Sequence, residues 1–474
     1  MYFRGPNHAA GSLTPCESLA FPLPESIPIQ IRLLRLADCS LPSAPDSNWL
    51  AISLGCRERI LRQTRLIRPE YAERFACIGG ACEDTCCAGW SVSVDEASYR
   101  KYTSLPEGPL RSLIVSSIQP NSSRDGKIDA SNFAAVRMKP HEACSLLSGE
   151  RLCRIHIELG EAYLCRACAV FPRITHTIDG FKETKLSLSC PEAARLVLLE
   201  PHLLPPRSAP GHQVTWDETA ANQAPLRVYF WQIREFVLAL IQNRNYPLWQ
   251  RMFLLGTFSR RLDALVRGEV TRSFPDLLDD FSRAVTAGGL SDLMEKIPAN
   301  NQLQLEIVLR LVARRVDGVW SSPRLRTVLN MFVEGVGLSP ETSTESQAAR
   351  YAAAYAEFYQ PFFGHHPHML ENYLVNAVLL YLFPFQGNPS APQADVQPAR
   401  AFALLAIQFA FIKGLLIGVA GARKHAFSAA DVVETVQTAF KHFEHRAHFL
   451  PEALASLEAR SLDNAQGLTM LLRN

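Results

Sequence analysis

The sequence carries almost no net charge. Its 474 residues contain 48 Lys and Arg against 46 Asp and Glu, which leaves a formal charge of +2. Proteins that bind nucleic acid or anionic membranes concentrate positive charge on one face. The most basic stretch, residues 57–74, has six arginines diluted by three glutamates, which is typical of a solvated helix face. We therefore expect no nucleic-acid partner.

The beginning of the sequence lacks the unbroken apolar run of a signal peptide. Seven prolines fall in the first fifty positions, without a helical or strand period. These features predict a disordered leader over residues 1–60 and a cytoplasmic protein.

One apolar run, residues 401–422, is long enough to span a membrane. Gln408 and Lys413 lie near its middle, and a central lysine costs about 2.5–3.5 kcal/mol on insertion scales. We therefore expect a buried core helix and no membrane insertion. The glycines of "GVAGA" (418–422) within this run indicate close helix packing.

Two common cofactor motifs are also missing. The Cys-x3-Cys-x2-Cys arrangement of radical S-adenosylmethionine enzymes would need a cysteine where Gly89 stands. There is no strand–GxGxG–helix unit of the usual methyltransferase or dinucleotide type. The residues that indicate the chemistry of this chain must therefore lie outside these two motifs.

Cysteine is what the sequence has in excess. Nine of its twelve cysteines fall between residues 77 and 190, four of them in "CIGGACEDTCCAGW" (77–90). In a reducing compartment such density argues for metal binding or catalysis rather than for disulfides.

The cysteine spacing leaves several readings open. Cys82 and Cys86, at i and i+4, would share one face of a helical turn, whereas the adjacent Cys86 and Cys87 should point apart and serve different ends. Only Cys165-x2-Cys168 has the form of a zinc pair. The unequal spacings suit an iron–sulfur cluster at least as well. A purely structural metal site and a single nucleophilic cysteine are the alternatives.

The hydrophobic periodicity changes along the chain. Residues 68–201 show short elements, with helical spacing in "CPEAARLVLLE" (190–200) and strand alternation in "ETKLSLS" (183–189). Residues 202–224 read as a linker, and 225–474 keep a 3.6-residue period, broken at 388–398. The predicted fold is mainly α: a cysteine-rich metal-cluster N-terminal domain with short elements, followed by an all-helical C-terminal domain.

Longer segments resemble a known family. "RPEYAERFACIGGACEDTCCAGWSVSVDEASYRKY" (68–102) is similar to the opening of the bacterial flagellin lysine-N-methylases, which belong to a wider group with a CxxCxxCC-type cysteine cluster. The likeness continues in "SLSCPEAARL", "LENYLVNAVLLYLFPF", "GVAGARKHAF" and the terminal "LLRN". It covers about residues 68–474.

The resemblance implies transfer of methyl groups from S-adenosylmethionine to lysines of flagellin in the cytoplasm, with a [4Fe-4S] cluster on the enzyme. Cys165 stands where family members usually carry a polar residue, so we treat it as an extra. Eight cysteines match the family pattern: Cys77, Cys82, Cys86, Cys87, Cys144, Cys153, Cys168 and Cys190.

We predict that the catalytic and cofactor-binding residues lie on "LENYLVNAVLLYLF" (370–383) and "GARKHAF" (421–427). Asn372 and Asn376, one helical turn apart, either line the cofactor or lysine pocket or hydrogen-bond neighbouring elements. Glu371 and Tyr373 border them and would assist deprotonation of the lysine. In "GARKHAF" (421–427), Arg423 would meet the methionine carboxylate and His425 would serve as a base.

A second hypothesis comes from a different functional class. The chain would be a non-enzymatic metal-binding scaffold or chaperone, with zinc or an iron–sulfur cluster holding the fold. The colour of anaerobically purified protein separates iron from zinc, and a methylation assay separates the functions.

Overall fold

The structure, a computed structural model, describes residues 65–67, 69–121, 129–139, 143–204, 226–313, 323–387, 395–444 and 449–474. The predicted leader lies outside the described residues, as do most of the predicted linker and most of the 388–398 break. Residues 64–474 form one compact unit. The predicted boundary between residues 201 and 225 stays a prediction.

Helices dominate the described residues, which confirms a mainly α protein. Those before residue 200 are short: α1 (Glu70–Glu73), α2 (Glu96–Thr103), α3 (Pro109–Ser117), α4 (Arg154–Leu159), α5 (Arg166–Val170) and α6 (Pro191–Leu198). The later ones are α7 (Phe230–Ile241), α8 (Leu248–Val266), α9 (Phe274–Thr286), α10 (Ser291–Glu295), α11 (Asn301–Ala313), α12 (Pro323–Val336), α13 (Thr344–Ala354), α14 (Gln360–His365), α15 (His368–Leu380), α16 (Pro398–Arg423), α17 (Ala429–Glu444), α18 (Phe449–Glu458) and α19 (Ala465–Met470).

All strands in the described residues precede residue 190, as the sequence predicts. They are β1 (Arg65–Ile67), β2 (Ser93–Val94), β3 (Ile118–Pro120), β4 (Ala134–Val136), β5 (Met138–Lys139), β6 (Ala143–Cys144), β7 (Arg173–Ile178) and β8 (Phe181–Leu186). They form three small sheets, ordered β1-β8-β7, β2-β4-β3 and β5-β6. Among the strands that the structure describes, only β1 and β8 pair in parallel.

The β7–β8 hairpin leads the chain to Cys190. Asp179 and Gly180 both have positive φ, which gives the tight hairpin turn whose twist matches that of the strands. The strand predicted in "ETKLSLS" (183–189) overlaps the last four residues of β8, and its last three residues lie beyond the strand. Cys190 is the N-cap residue of α6, and Pro191 occupies its first turn, where the missing N–H needs no partner.

Two apolar cores support the unit. A small core lies within residues 92–168, around Val94, Tyr102, Ile114 and Ala134. A larger core joins α1, β7, β8 and α6 to the C-terminal helices. The segment around Cys190 therefore packs with the helical half, whereas the segments around Cys144 to Cys168 have a core of their own.

Helix α16 is the central helix of the large core. It is long and apolar enough to cross a membrane, but 94% of its most apolar window is buried inside the structure, which confirms the predicted core helix. The buried Lys413 donates to the carbonyl of Leu472, near the end of the chain. A Cβ on Gly335 of α12 would lie 1.8 Å from the carbonyl oxygen of Gly418, so these glycines allow the close approach of α12 and α16.

Candidate functional site

Six cysteines line one small cavity beside the small core. They come from the loop after Cys82, from β6 and from the N-terminal ends of α4 and α5. Apolar side chains such as Val94, Ile118 and Leu146 complete the wall, and the volume is about 30 Å³. We call the space between these six thiols the cysteine cavity: Cys86, Cys87, Cys144, Cys153, Cys165 and Cys168.

Neighbouring thiols of the cysteine cavity shift one another's pKa. Interaction with the Cys87 thiol lowers the pKa of Cys86 and that of Cys153. The same interactions, with burial, raise the pKa of Cys87. Cys168 likewise lowers the pKa of Cys165 while its own pKa is raised. A thiol with a lowered pKa supplies a thiolate ligand more readily, so the cavity offers a set of sulfur ligands.

The local geometry of the cysteine loop differs from the prediction. Residues 79–81 form a single 3₁₀ turn, after which Cys82 is extended, so Cys82 and Cys86 do not share a helical face. A turn at the adjacent Cys86 and Cys87 brings both thiols to the cysteine cavity, so they do not point apart as the spacing predicts. That the two thiols serve different ends stays a prediction.

The other three described cysteines form a neighbouring group. Cys82 interacts electrostatically with Cys77 and with Cys190, and Cys190 also interacts with Cys86. Burial raises the pKa of Cys190 to about 12 and also raises that of Cys82. We call these three residues the outer cysteine group. All nine described cysteines are free thiols.

Helix α17, from the C-terminal half, holds the two cysteine-bearing segments together. Lys441 Nζ lies 2.9 Å from Asp84 Oδ2 and donates to the carbonyl of Thr85. Gln437 donates to Asp84 and to the carbonyl of Ser189, both at 2.9 Å. Their positions at i and i+4 place both side chains on one face, over the loop 82–87 and the residue before Cys190.

Glu444 extends this face by one turn. Its carboxylate accepts from the hydroxyls of Ser187 and Ser189, and burial raises its pKa above the ordinary value. Sequence reasoning missed these residues because polar positions on an amphipathic helix usually face solvent.

The donor chemistry of the cysteine cavity fits an iron–sulfur cluster, whose iron is held by thiolates. No group of three His, Cys, Asp or Glu side chains in the described parts of the chain is arranged to hold a metal ion. The cavity volume is close to what one water molecule occupies in the liquid. Ligation would therefore use space that the thiols now fill. Cys165, which the family pattern leaves out, belongs to this donor set.

Glu371, at the first turn of α15, is a buried ion-pair partner. It accepts from Arg244 at 2.9 and 3.0 Å and from Arg251 at 2.7 Å. Two guanidinium groups therefore bind this carboxylate. Its assignment as a base stays a prediction.

The two asparagines of α15 bond neighbouring elements. Asn372 donates to the carbonyls of Val197 and Glu200, at the C-terminal end of α6. Asn376 donates to the carbonyl of Leu186 and accepts from the Tyr71 hydroxyl. These contacts match the alternative that the two asparagines hydrogen-bond neighbouring elements.

Tyr373 is likewise buried, and its hydroxyl donates to Gln408 at 3.2 Å. The roles of Asn372 and Asn376 in cofactor binding, and of Tyr373 in deprotonation, stay predictions.

The other predicted wall lies at the end of α16. His425 is exposed and packs edge-on against Phe358, with the ring centroids 5.2 Å apart. Arg423 donates from Nε to Asp431 at 2.9 Å and lines an open cleft of about 480 Å³. We name this the arginine cleft after its three arginines, Arg195, Arg324 and Arg423.

Comparison with known proteins gives consistent matches. The family model described as "FliB lysine N-methylase C-terminal domain" matches residues 234–471. Proteins named lysine-N-methylase from Salmonella typhimurium and Salmonella choleraesuis are each 24% identical over 401 residues, covering 82% of this chain and 94% of theirs. The flagellar biosynthetic protein FliU of Salmonella muenchen is 30% identical over 144 residues, 30% of this chain and 81% of that protein. No solved structure matches.

Proposed function

The chain belongs to the FliB lysine N-methylase family, and on that premise we propose that it transfers methyl groups from S-adenosylmethionine to lysine side chains of flagellin. The observation that carries this proposal is the similarity to two lysine-N-methylases over 82% of the chain. A flagellar substrate is supported by the likeness to a protein named for flagellar biosynthesis. The free thiols of the described residues support a reducing compartment, the cytoplasm.

The transfer sets a clear demand on the site. A bond forms between the lysine nitrogen and the methyl carbon, and the carbon–sulfur bond breaks, so the sulfonium becomes a neutral thioether. The lysine side chain has a pKa of about 10.4 and is protonated at neutral pH, so its proton must first pass to a base or to water. Of the predicted bases, His425 is exposed and open to a protein substrate, whereas Glu371 and Tyr373 are buried and hydrogen-bonded.

We assign the proposed [4Fe-4S] cluster to the cysteine cavity. Its six thiols exceed the four that such a cluster needs, and the pKa values of Cys86 and Cys153 are lowered by the neighbouring Cys87 thiol. When bound, a cluster supplies one-electron redox chemistry and a cross-link between the segments that ligate it. The chain's own part is to bring the loop at Cys86, strand β6 and helices α4 and α5 around one point.

The activity is tested by mass spectrometry of unmethylated flagellin incubated anaerobically with the purified protein and S-adenosylmethionine. We expect mass increments of whole methyl groups, mapped to lysines, and none when the donor is left out. An unrelated protein of similar lysine content is the control for substrate. No methyl-lysine on flagellin, or equal methylation of the control protein, would contradict the proposal.

The cofactor is tested by metal and sulfide analysis of the anaerobic protein. We expect about four iron and four sulfide per chain, and a brown colour. One equivalent of zinc without sulfide in a colourless protein would contradict the proposed iron–sulfur cluster.

A further inference from the structure

The arginine cleft is large enough for a small molecule and has a lining of balanced charge. Its volume of about 480 Å³ lies in the range of small-ligand pockets. Each arginine pairs with an acid of the same lining: Arg195 with Glu83 at 2.6 Å, Arg324 with Glu434 at 3.8 Å and Arg423 with Asp431 at 2.9 Å. Three positive and three negative groups therefore surround one opening.

Apart from Ser428, the remaining wall of the arginine cleft is apolar. Leu199 is 41% exposed and lines the cleft together with Val433 and the alanines at the start of α17. An apolar floor with a few charged groups at the rim is the usual form of a small-molecule site.

The arginine cleft adjoins the cysteine-bearing segments. Glu83 directly follows Cys82, and Arg195 lies on α6, which begins after Cys190. Behind the cleft, Arg324 donates to Gln437 at 3.3 Å, and Gln437 donates to Asp84. The loop that leads to the cysteine cavity therefore supplies one wall residue of the cleft, Glu83, and is joined to Arg324 through Gln437.

We propose that the arginine cleft binds the α-amino-acid end of the methyl donor, an inference that rests on the proposed function. That end is a zwitterion, which needs a cationic fork for its carboxylate and a carboxylate for its ammonium. In the described contacts Arg423 uses only Nε, on Asp431, so its two terminal nitrogens are the ones available to a carboxylate. The acids of the rim face the ammonium and the sulfonium, and the apolar floor contacts the aliphatic part.

The test is the affinity of the anaerobic holoprotein for S-adenosylmethionine, measured by equilibrium dialysis. Arg423→Gln should raise Kd roughly tenfold to a hundredfold, because one charge-assisted hydrogen-bond pair is lost. Arg423→Lys should lie between Arg423→Gln and wild type.

Arg400→Gln is the matched control. Arg400 is 40% exposed against 48% for Arg423, pairs with a single acid and lines a different open cleft of about 690 Å³. Its Kd should stay within about twofold of wild type, as for a surface ion pair.

A second ligand probes the contact itself. 5′-Methylthioadenosine lacks the amino-acid end and the sulfonium charge, so wild type should bind it more weakly than S-adenosylmethionine, and Arg423→Gln should make this preference clearly smaller. If wild type binds S-adenosylmethionine but Arg423→Gln binds it equally well, the cleft assignment is overturned. If wild type does not bind S-adenosylmethionine at all, the proposed donor itself is wrong.

Discussion

Replacing Lys441 with methionine should make the cysteine loop, residues 82–87, open far more often. Lys441 and Asp84 form an ion pair at 2.9 Å, with side chains 10% and 8% exposed. Burial alone would raise the pKa of Asp84, but interactions with Lys441 and Gln437 lower it by more. The net pKa lies below the ordinary value, so the carboxylate is charged at neutral pH. The variant leaves this buried charge without its counter-ion, at a cost of about 3–5 kcal/mol.

Hydrogen exchange read by mass spectrometry measures this opening locally. Every 1.4 kcal/mol is a factor of ten, so amides of the loop should exchange on the order of 10²–10³ times faster in Lys441→Met. Adding Asp84→Asn should recover much of the protection, because no charge is then left in the apolar surroundings. The control is Arg100→Met, which removes an exposed i,i+4 pair worth about 0.3–0.5 kcal/mol.

Two results would refute this reasoning. Lys441→Met could exchange as slowly as wild type, which would mean that α17 does not hold the loop. Alternatively, the effects of Lys441→Met and Asp84→Asn could simply add in the double variant, which would mean that the two side chains do not interact.

Three further predictions concern the helical half. Burial lowers the pKa of Lys413 to about 7, so the folded protein binds fewer protons than the unfolded chain up to about pH 10.4. Lys413→Met should therefore be more stable than wild type at pH 7, by an amount that shrinks by up to about 1.4 kcal/mol per pH unit towards pH 10. A pH-independent difference in unfolding midpoints would contradict this. Gly335→Ala should lower the melting temperature and cost about 1–3 kcal/mol of stability, because the new Cβ would clash with the backbone of α16. Gly364→Ala is the control, because a Cβ there meets open space and the melting temperature should not fall. Glu371→Gln should cost about 3–5 kcal/mol by leaving Arg251 buried without its partner, and an unchanged melting temperature would count against that ion pair.

The helical half could be predicted because its information is local. The 3.6-residue period of segments such as 228–241 and 371–383 directly describes which face is buried, and α7 and α15 lie there. The polar interruptions of α16 were also informative. Lys413 argued against a membrane span, and its partner is a backbone carbonyl 59 residues away.

The arrangement of the cysteines could not be predicted because it depends on distant contacts. Asp84 and Lys441 are 357 residues apart, and no local pattern links them. The same limit applies to Asn372 and Asn376, whose partners are carbonyls at the ends of α6 and β8. Spacing predicted that Cys86 and Cys87 point apart, but a turn at these residues overrides the alternation of an extended chain.

The iron content of two triple variants tests most directly whether the cysteine cavity is the iron site of a lysine methyltransferase. One variant changes Cys86, Cys87 and Cys153 to serine and leaves three cavity thiols, fewer than a four-iron cluster needs. The other changes the outer cysteine group, Cys77, Cys82 and Cys190, to serine. Iron and sulfide per folded chain should fall to near zero in the first variant and stay near four in the second. Full iron in the first variant, or loss of iron only in the second, would contradict the assignment.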